Sequence, residues 1–185
     1  MSPGATHTPG AMHCTVWFYN PAAERTTGWN VVNKLVAGLS PPFCHVELQF
    51  PSGVACSIVM GDTVRMRERT FDTEFYTAVV LQARPQAVFK TQALAQNHVE
   101  RATPFGISAG HTFCSKLVAE LLRDGGLVPS DALADPWITP SALYEQLMQI
   151  HGVVLLPEVS AVLSPPHKAL DFTGTARCAP TLRLS

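Results

Sequence analysis

The sequence predicts a single α+β domain in which an antiparallel sheet packs against helices. Most of the short β-branched and aromatic runs lie within residues 14–81, where apolar and polar positions tend to alternate. Segments with helical periodicity dominate the part that follows. The chain has 185 residues, of which 46% are hydrophobic and 15% charged, so it can bury one sizeable core.

The strand-like segments come early in the chain and are separated by turn residues. They are Cys14–Tyr19, Phe43–Phe50, Val54–Val59, Val64–Arg69 and Phe75–Leu81, and Val153–Leu156 is a short late candidate. Pro51-Ser52-Gly53 separates the second segment from the third, which predicts an antiparallel hairpin.

The helix-like segments repeat apolar residues every three to four positions. They are Trp29–Leu39, Gln86–Ala102, a central helix that carries Leu117 to Leu122, and a helix that starts after Thr139. Gly125-Gly126 predicts the end of the central helix. Thr139 followed by Pro140 predicts an N-cap with proline at the first helical position.

Composition and the chain ends suggest the domain boundaries and the class of partner. We expect a flexible leader over residues 1–11, one domain over 12–162 and a Pro-rich tail over 163–185. A net charge of −1 gives no electrostatic case for a nucleic-acid partner. No apolar run is long enough for an integral membrane segment, and no signal peptide is visible.

The number and spacing of the cysteines indicate the redox state of the cellular compartment. Five cysteines at irregular spacing argue against a disulfide framework. We therefore expect reduced thiols and an intracellular location, which means the cytoplasm, including that of a host cell, or a virion.

Cys114 is the residue around which the candidate chemistry is organised. It stands where the central helix is predicted to begin, and unsatisfied N–H groups and the helix dipole stabilise a thiolate there. His45 and Glu47 are two residues apart on a predicted strand, so they share one face of it. If the central helix packs on that face, His45 can accept the thiol proton and Glu47 can orient the imidazole.

These motifs resemble the circularly permuted papain-like cysteine hydrolases. Phe43-Cys44-His45-Val46-Glu47, followed later by Phe113-Cys114-Ser115, is similar to the bacterial, phage and large-DNA-virus branch of the NlpC-type peptidase superfamily. The order His then Cys is the permuted one. The resemblance covers roughly residues 14–150, and it implies a permuted papain-like core with the nucleophile at a helix N-terminus. Lys116 departs from the acid that many relatives carry after Cys-Ser.

The resemblance implies Cys114 as the nucleophile, His45 as the base and Glu47 as the third member. Ser57 is the alternative third member, because several permuted families take that residue from the strand after the histidine. The positions next to the oxyanion and substrate are Phe113, Ser115 and His111. The substrate would be a peptide, a peptidoglycan-like amide or an acyl lipid, with peptidase or amidase activity favoured and no cofactor required.

Simpler interpretations compete with this one. Cys114 alone is typical of a buried structural thiol. His111 is best interpreted as a loop residue, and Ser115 as a local helix cap. A zinc site is disfavoured, since no Cys-x2-Cys or His-x3-His pair is present. Alternating Arg65, Arg67 and Arg69 predict a solvated strand edge, with weaker support for binding an acidic substrate or a lipid head group.

Two further functions remain open at this point. The same fold could serve as a catalytically inactive binding module, for example in virus–host interaction, which would keep the motif and lose the chemistry. A small metal-binding protein is the third hypothesis.

Overall fold

The strands come from the first part of the chain and the helices from the second. The computed structural model describes residues 10–21 and 41–151. Its strands are β1 (Met12–Tyr19), β2 (His45–Gln49), β3 (Val54–Ser57), β4 (Arg65–Glu68) and β5 (Tyr76–Ala83). Its helices are α1 (Pro85–Glu100), α2 (Cys114–Gly125) and α3 (Pro140–His151). The predicted helix Trp29–Leu39, the strand Val153–Leu156, most of the leader and the tail lie outside the described residues.

The strands form one antiparallel sheet in the order β4-β3-β2-β1-β5. The predicted hairpin between β2 and β3 is confirmed, with Gly53 in the left-handed region at φ 85°. Together with the helices, the sheet confirms the α+β class. The permuted papain-like core stays a prediction.

The two faces of the sheet have different chemistry. The register pairs Phe18 with Val46 and Val16 with Leu48, and all four side chains are fully buried. The opposite face pairs Trp17 with Glu47 and Tyr19 with His45. Strand alternation therefore separates an apolar face from a face of aromatic and ionisable groups.

The helices bury their apolar stripes in one core with the apolar face of the sheet. Leu117 and Leu121 of α2 belong to the same buried cluster as Val46 and Leu48. From α3, Tyr144 packs edge-on against Phe18, with ring centroids 5.3 Å apart. None of the helices within residues 10–21 and 41–151 is long and apolar enough to cross a membrane.

The predicted helix ends are also confirmed. Helix α2 ends at Gly125, and Gly126 adopts a left-handed C-cap at φ 81°. Gly125 is required for a second reason, because a Cβ atom there would lie 1.9 Å from Thr91 Oγ1 of α1. The hydroxyl of Thr139 accepts a hydrogen bond from the Ala142 N–H at 3.2 Å, as an N-cap should.

Candidate active site

Cys114 is the first residue of α2. Phe113 precedes it as the N-cap in an extended conformation, with no side-chain capping bond. The N–H groups of the first helical turn have no intrahelical carbonyl to bind. They are therefore available to the sulfur or to a ligand, as we expect from the sequence pattern.

His45 contacts the Cys114 thiol at the start of β2. The two side chains share a hydrogen bond, and the backbone N–H groups of Val46 and Ser115 also donate to the sulfur. The sequence argument required α2 to pack on the face that carries His45 and Glu47, and that condition is wrong. The apolar residues of α2 share a core with Val46 and Leu48 on the other face, so the thiol reaches the imidazole at the end of the strand.

The thiol and the imidazole shift each other's pKa toward the charged pair. Burial raises the pKa of Cys114, but the hydrogen bond and the positive charge of His45, together with the two N–H donors, lower it overall below 9.0. Burial likewise lowers the pKa of His45, but its contacts with Cys114 and Glu47 outweigh that effect and raise the pKa to about 10. The geometry thus favours thiolate and imidazolium together.

Glu47 is the ionisable neighbour on the other side of the His45 ring. Its side chain is fully buried, and Oε1 lies 3.4 Å from His45 Nε2. This contact is ionic rather than a well-aligned hydrogen bond. Because Nε2 faces Glu47, Nδ1 is left for the thiol. The structure therefore brings together the three residues that the sequence analysis grouped.

Arg69 was expected at a solvated edge, and for this residue the expectation is wrong. Its Nη1 lies 2.7 Å from Glu47 Oε1, and its side chain is 28% exposed. Arg65 does behave as a surface residue, at 59% exposure in a pair with Asp62. Arg69 differs because it follows the last residue of β4 and turns back over the aromatic face. The alternating pattern could not distinguish it from Arg65 and Arg67.

Ser57, the alternative third member, is buried near the end of β3. It lies opposite Arg65 in the pairing of β3 with β4. In the described part of the chain, the side chains in contact with the His45 ring include Glu47 and Cys114. The geometry therefore favours Glu47 over Ser57 for orienting the imidazole.

Ser115 does not cap α2, so the capping interpretation is wrong. Its buried hydroxyl donates to the Ile138 carbonyl at 2.6 Å. Phe113, on the other side of Cys114, stacks on Trp137 with ring centroids 6.3 Å apart. These two contacts hold the segment Trp137-Ile138 against the helix start. Trp137 is 59% exposed, and it is the substrate-facing candidate that the sequence analysis did not single out.

His111 lies in the loop before α2, as expected. Its Nδ1 is 3.2 Å from the Ala109 carbonyl. The ring packs against Gly106, since a Cβ atom there would lie 2.8 Å from His111 Cδ2. This packing supports a role in shaping the loop.

The other described cysteines are buried thiols. Burial raises the pKa of Cys14 to about 12, and burial together with the charge of Glu47 raises that of Cys56 to about 12. Within residues 10–21 and 41–151, no cluster of three or more His, Cys, Asp or Glu side chains is placed to hold a metal ion.

Comparison of the chain with models of protein families, with curated proteins and with solved structures found no match. The resemblance to permuted papain-like hydrolases therefore stays a prediction based on the motifs around His45 and Cys114. The contacts of Cys114, His45 and Glu47 are independent of that resemblance.

Proposed function

We propose that the protein is a cysteine hydrolase or acyltransferase that forms an acyl-enzyme on Cys114. The bond it acts on is an amide or an ester, and a peptidase or amidase reaction is favoured. The observation that carries the proposal is the contact of a buried thiol, at a helix N-terminus, with an imidazole that a buried carboxylate contacts on its far side.

In the proposed reaction the Cys114 thiolate attacks the carbonyl carbon of the substrate. A carbon–sulfur bond forms, and the carbonyl π electrons move to the oxygen. When this intermediate collapses, the bond to the leaving amine or alcohol breaks, and the His45 imidazolium gives that group its proton. Water or another nucleophile then attacks the thioester, His45 accepts its proton, and the thiolate leaves.

Two features support stabilisation of the charged species. The N–H groups of the first turn of α2 lie at the positive end of the helix, next to the reacting sulfur. Glu47 lies beside the imidazole and favours its protonated form. A buried cysteine without these neighbours would be a thiol at neutral pH.

The aromatic pair Phe113–Trp137 supports an apolar group on the substrate. Phe113 directly precedes Cys114, and Trp137 stacks on it while more than half of its surface stays exposed. An acyl chain or an apolar side chain next to the scissile carbonyl can bury its surface there. Peptides and acyl lipids both carry such groups, so the choice between amide and ester needs a direct assay.

The decisive experiment combines labelling with turnover. Iodoacetamide labelling at pH 6.5, with peptide mapping by mass spectrometry, should modify Cys114 well before Cys14 and Cys56, which act as controls within the same molecule. Amide and ester substrates matched in their acyl group should then yield a Cys114 adduct heavier by that group. Equal labelling of all cysteines, unchanged in His45→Ala, would contradict the proposal.

The binding-module hypothesis predicts a different combination of results. Cys114→Ser would keep the biological effect of the protein, and none of the amide, peptidoglycan-fragment or acyl-lipid substrates would acylate the wild-type thiol.

A further inference from the structure

We propose that Arg69 is a positioning residue that acts on the thiol–imidazole pair through Glu47. Within residues 10–21 and 41–151, Arg69 forms no ion pair with Cys114 or His45, so its effect is carried by the Glu47 carboxylate, which contacts both Arg69 and His45. This inference rests on the proposed function and extends the set of working residues from three to four.

Two groups fix the guanidinium of Arg69. Its Nη1 lies 2.7 Å from Glu47 Oε1, and its Nη2 donates to the Tyr76 hydroxyl at 2.8 Å. The guanidinium carbon also lies 5.0 Å from the centroid of the Phe71 ring and 5.7 Å from that of Tyr76. A planar, always charged group with several donors suits this arrangement, whereas lysine offers only a point charge.

The backbone of Arg69 is fixed as well. Its N–H donates to the Gly53 carbonyl at 3.2 Å, and its carbonyl accepts from Gln49 Nε2 at 2.8 Å. Gln49 in turn accepts a hydrogen bond from Trp17 Nε1 at 2.9 Å. Since Gln49 is on β2, two residues after Glu47, this network ties the arginine to the strand that carries the carboxylate and the imidazole.

Glu47 needs such a partner. Its side chain is fully buried, and its Oε2 has no hydrogen-bond partner among the described residues. The ion pair with Arg69 holds Oε1 at the position from which it contacts His45 Nε2. Without Arg69 the carboxylate would no longer be held beside the imidazolium, and the thiol would then hold its proton to higher pH.

Among residues 10–21 and 41–151, few ionisable groups surround this centre. His45 and Arg69 contact Glu47, the thiol of Cys56 on β3 feels its charge, Tyr76 on β5 accepts from Arg69, and Cys114 on α2 contacts His45. Of these, His45 and Cys114 are the contacting pair whose pKa values shift toward the charged forms. Loss of Arg69 should therefore appear in the titration of that pair.

The test measures the rate of Cys114 alkylation by iodoacetamide from pH 4 to pH 10 on the full chain. Arg69→Met should move the midpoint up by about one pH unit and slow labelling on the acid side about tenfold, with the alkaline plateau rate unchanged. Arg69→Lys should fall between wild type and Arg69→Met. In a Glu47→Gln background, Arg69→Met should add little, because the two residues act as a unit.

Arg65→Met is the matched control. Arg65 is the first residue of β4 and makes an ion pair of the same length, 2.7 Å, but its own side chain is 59% exposed and its partner is Asp62 rather than the fully buried Glu47. Its loss should leave the midpoint where it is in wild type. If Arg69→Met does not fold by circular dichroism, Arg69→Lys and Tyr76→Phe replace it, and both should shift the midpoint in the same direction by a smaller amount.

The possible failures are distinguishable. A wild-type midpoint well below the ordinary thiol value, together with folded Arg69 variants that titrate like wild type, overturns the role of Arg69 alone. An equal shift with and without Glu47 also overturns it. A wild-type midpoint near 9.0 contradicts both this role and the proposed function.

Discussion

Cys114 and Cys56 are two buried thiols that Glu47 affects in different ways, and their pKa values shift in opposite directions. Cys56 is fully buried in β3, and burial and the charge of Glu47 raise its pKa to about 12. Cys114 is 8% exposed at the start of α2, and its pKa lies below 9.0. Glu47 acts directly on Cys56 as a like charge, but on Cys114 it acts through His45.

The difference between the two thiols shows what turns a core cysteine into a candidate nucleophile. Burial raises the pKa of both. Cys114 also has an imidazole in hydrogen-bond contact and two backbone N–H donors, from Val46 and Ser115. The distinction depends on these three groups, of which the imidazole can be removed by a side-chain substitution.

Removal of His45 should make Cys114 resemble Cys56, and this is the largest effect we expect. His45→Ala takes away the proton acceptor, so hydrolysis should fall by about 10²–10⁴-fold. Alkylation of Cys114 at pH 6.5 should slow toward the rate of the other thiols. Steady-state kinetics on an activated ester and peptide mapping after timed labelling measure the two effects.

His98→Ala is the control for that substitution, since His98 lies on α1 and its Nδ1 is 3.2 Å from Thr103 Oγ1. It should leave labelling of Cys114 unchanged. If His45→Ala labels as fast as wild type, the imidazole does not set the acidity of the thiol.

The second-largest expected effect is a difference between Cys114 and Cys56 in the pH dependence of their reactivity. Below the pKa of the Cys114 thiol, protonation removes the nucleophile. Above about pH 10, His45 loses the proton it must give to the leaving group. We therefore expect a bell-shaped kcat/KM that falls about tenfold per pH unit beyond each limb. Cys56, with a pKa of about 12, should stay unlabelled across this range.

An acid limb alone in wild type, with no fall above about pH 10, would show that proton donation by His45 is not required for the reaction. The acid limb alone should remain for alkylation, because iodoacetamide needs the thiolate and no proton donor.

Replacement of Glu47 should move the two thiols in opposite directions. Glu47→Gln keeps the shape and removes the charge, so the pKa of Cys114 should rise while that of Cys56 falls. We expect about a tenfold loss of kcat/KM at pH 6.5, which corresponds to about one pKa unit. Labelling profiles measure the pKa of Cys114. The difference in ultraviolet thiolate absorbance between Cys114→Ser and Cys114→Ser/Cys56→Ser, each with and without Glu47→Gln, measures that of Cys56.

Ser57→Ala tests the alternative third member in the same assay. It should change kcat/KM by less than twofold, because Glu47 makes the contact with the imidazole. A loss of activity from Ser57→Ala equal to that from Glu47→Gln would reverse the assignment.

Strong local patterns explain why much of the fold could be predicted. Alternation over Cys14–Tyr19 and the Pro51-Ser52-Gly53 turn fix strand and hairpin positions within a few residues. Gly126 and Thr139 mark helix ends because their backbone and side-chain chemistry is local. The side of the sheet on which α2 packs is a tertiary property, and the condition that α2 packs on the face of His45 and Glu47 is wrong.

The candidate site likewise combines contacts that a local sequence pattern predicts with contacts that it does not. The pairing of His45 with Glu47 follows from strand period alone. The partnership of Arg69 with Glu47 does not, since it depends on how the chain turns after β4. Ser115 was assigned to its own helix, but its hydroxyl binds the Ile138 carbonyl, a partner 23 residues away. Contacts between distant segments carry no local pattern.

Access to the sulfur is the last difference between the thiols, and it should give the smallest effect. Cys114 directly follows Phe113, which stacks on the exposed Trp137, whereas Cys56 is fully buried. Trp137→Ala removes an apolar surface without touching the charges. The rate with iodoacetamide should therefore stay within twofold of wild type.

A substrate with a long acyl chain should respond differently, because it buries apolar area on the indole. We expect KM for an octanoyl ester to rise about three- to tenfold in Trp137→Ala, while KM for the acetyl ester stays constant. Phe89→Ala is the matched control, since Phe89 is 61% exposed on α1 and removes a similar aromatic surface elsewhere. Equal losses for both esters would mean that Trp137 supports the loop around Ile138 and not the substrate. A loss confined to the long chain would mean that the aromatic pair beside Cys114 selects the acyl group.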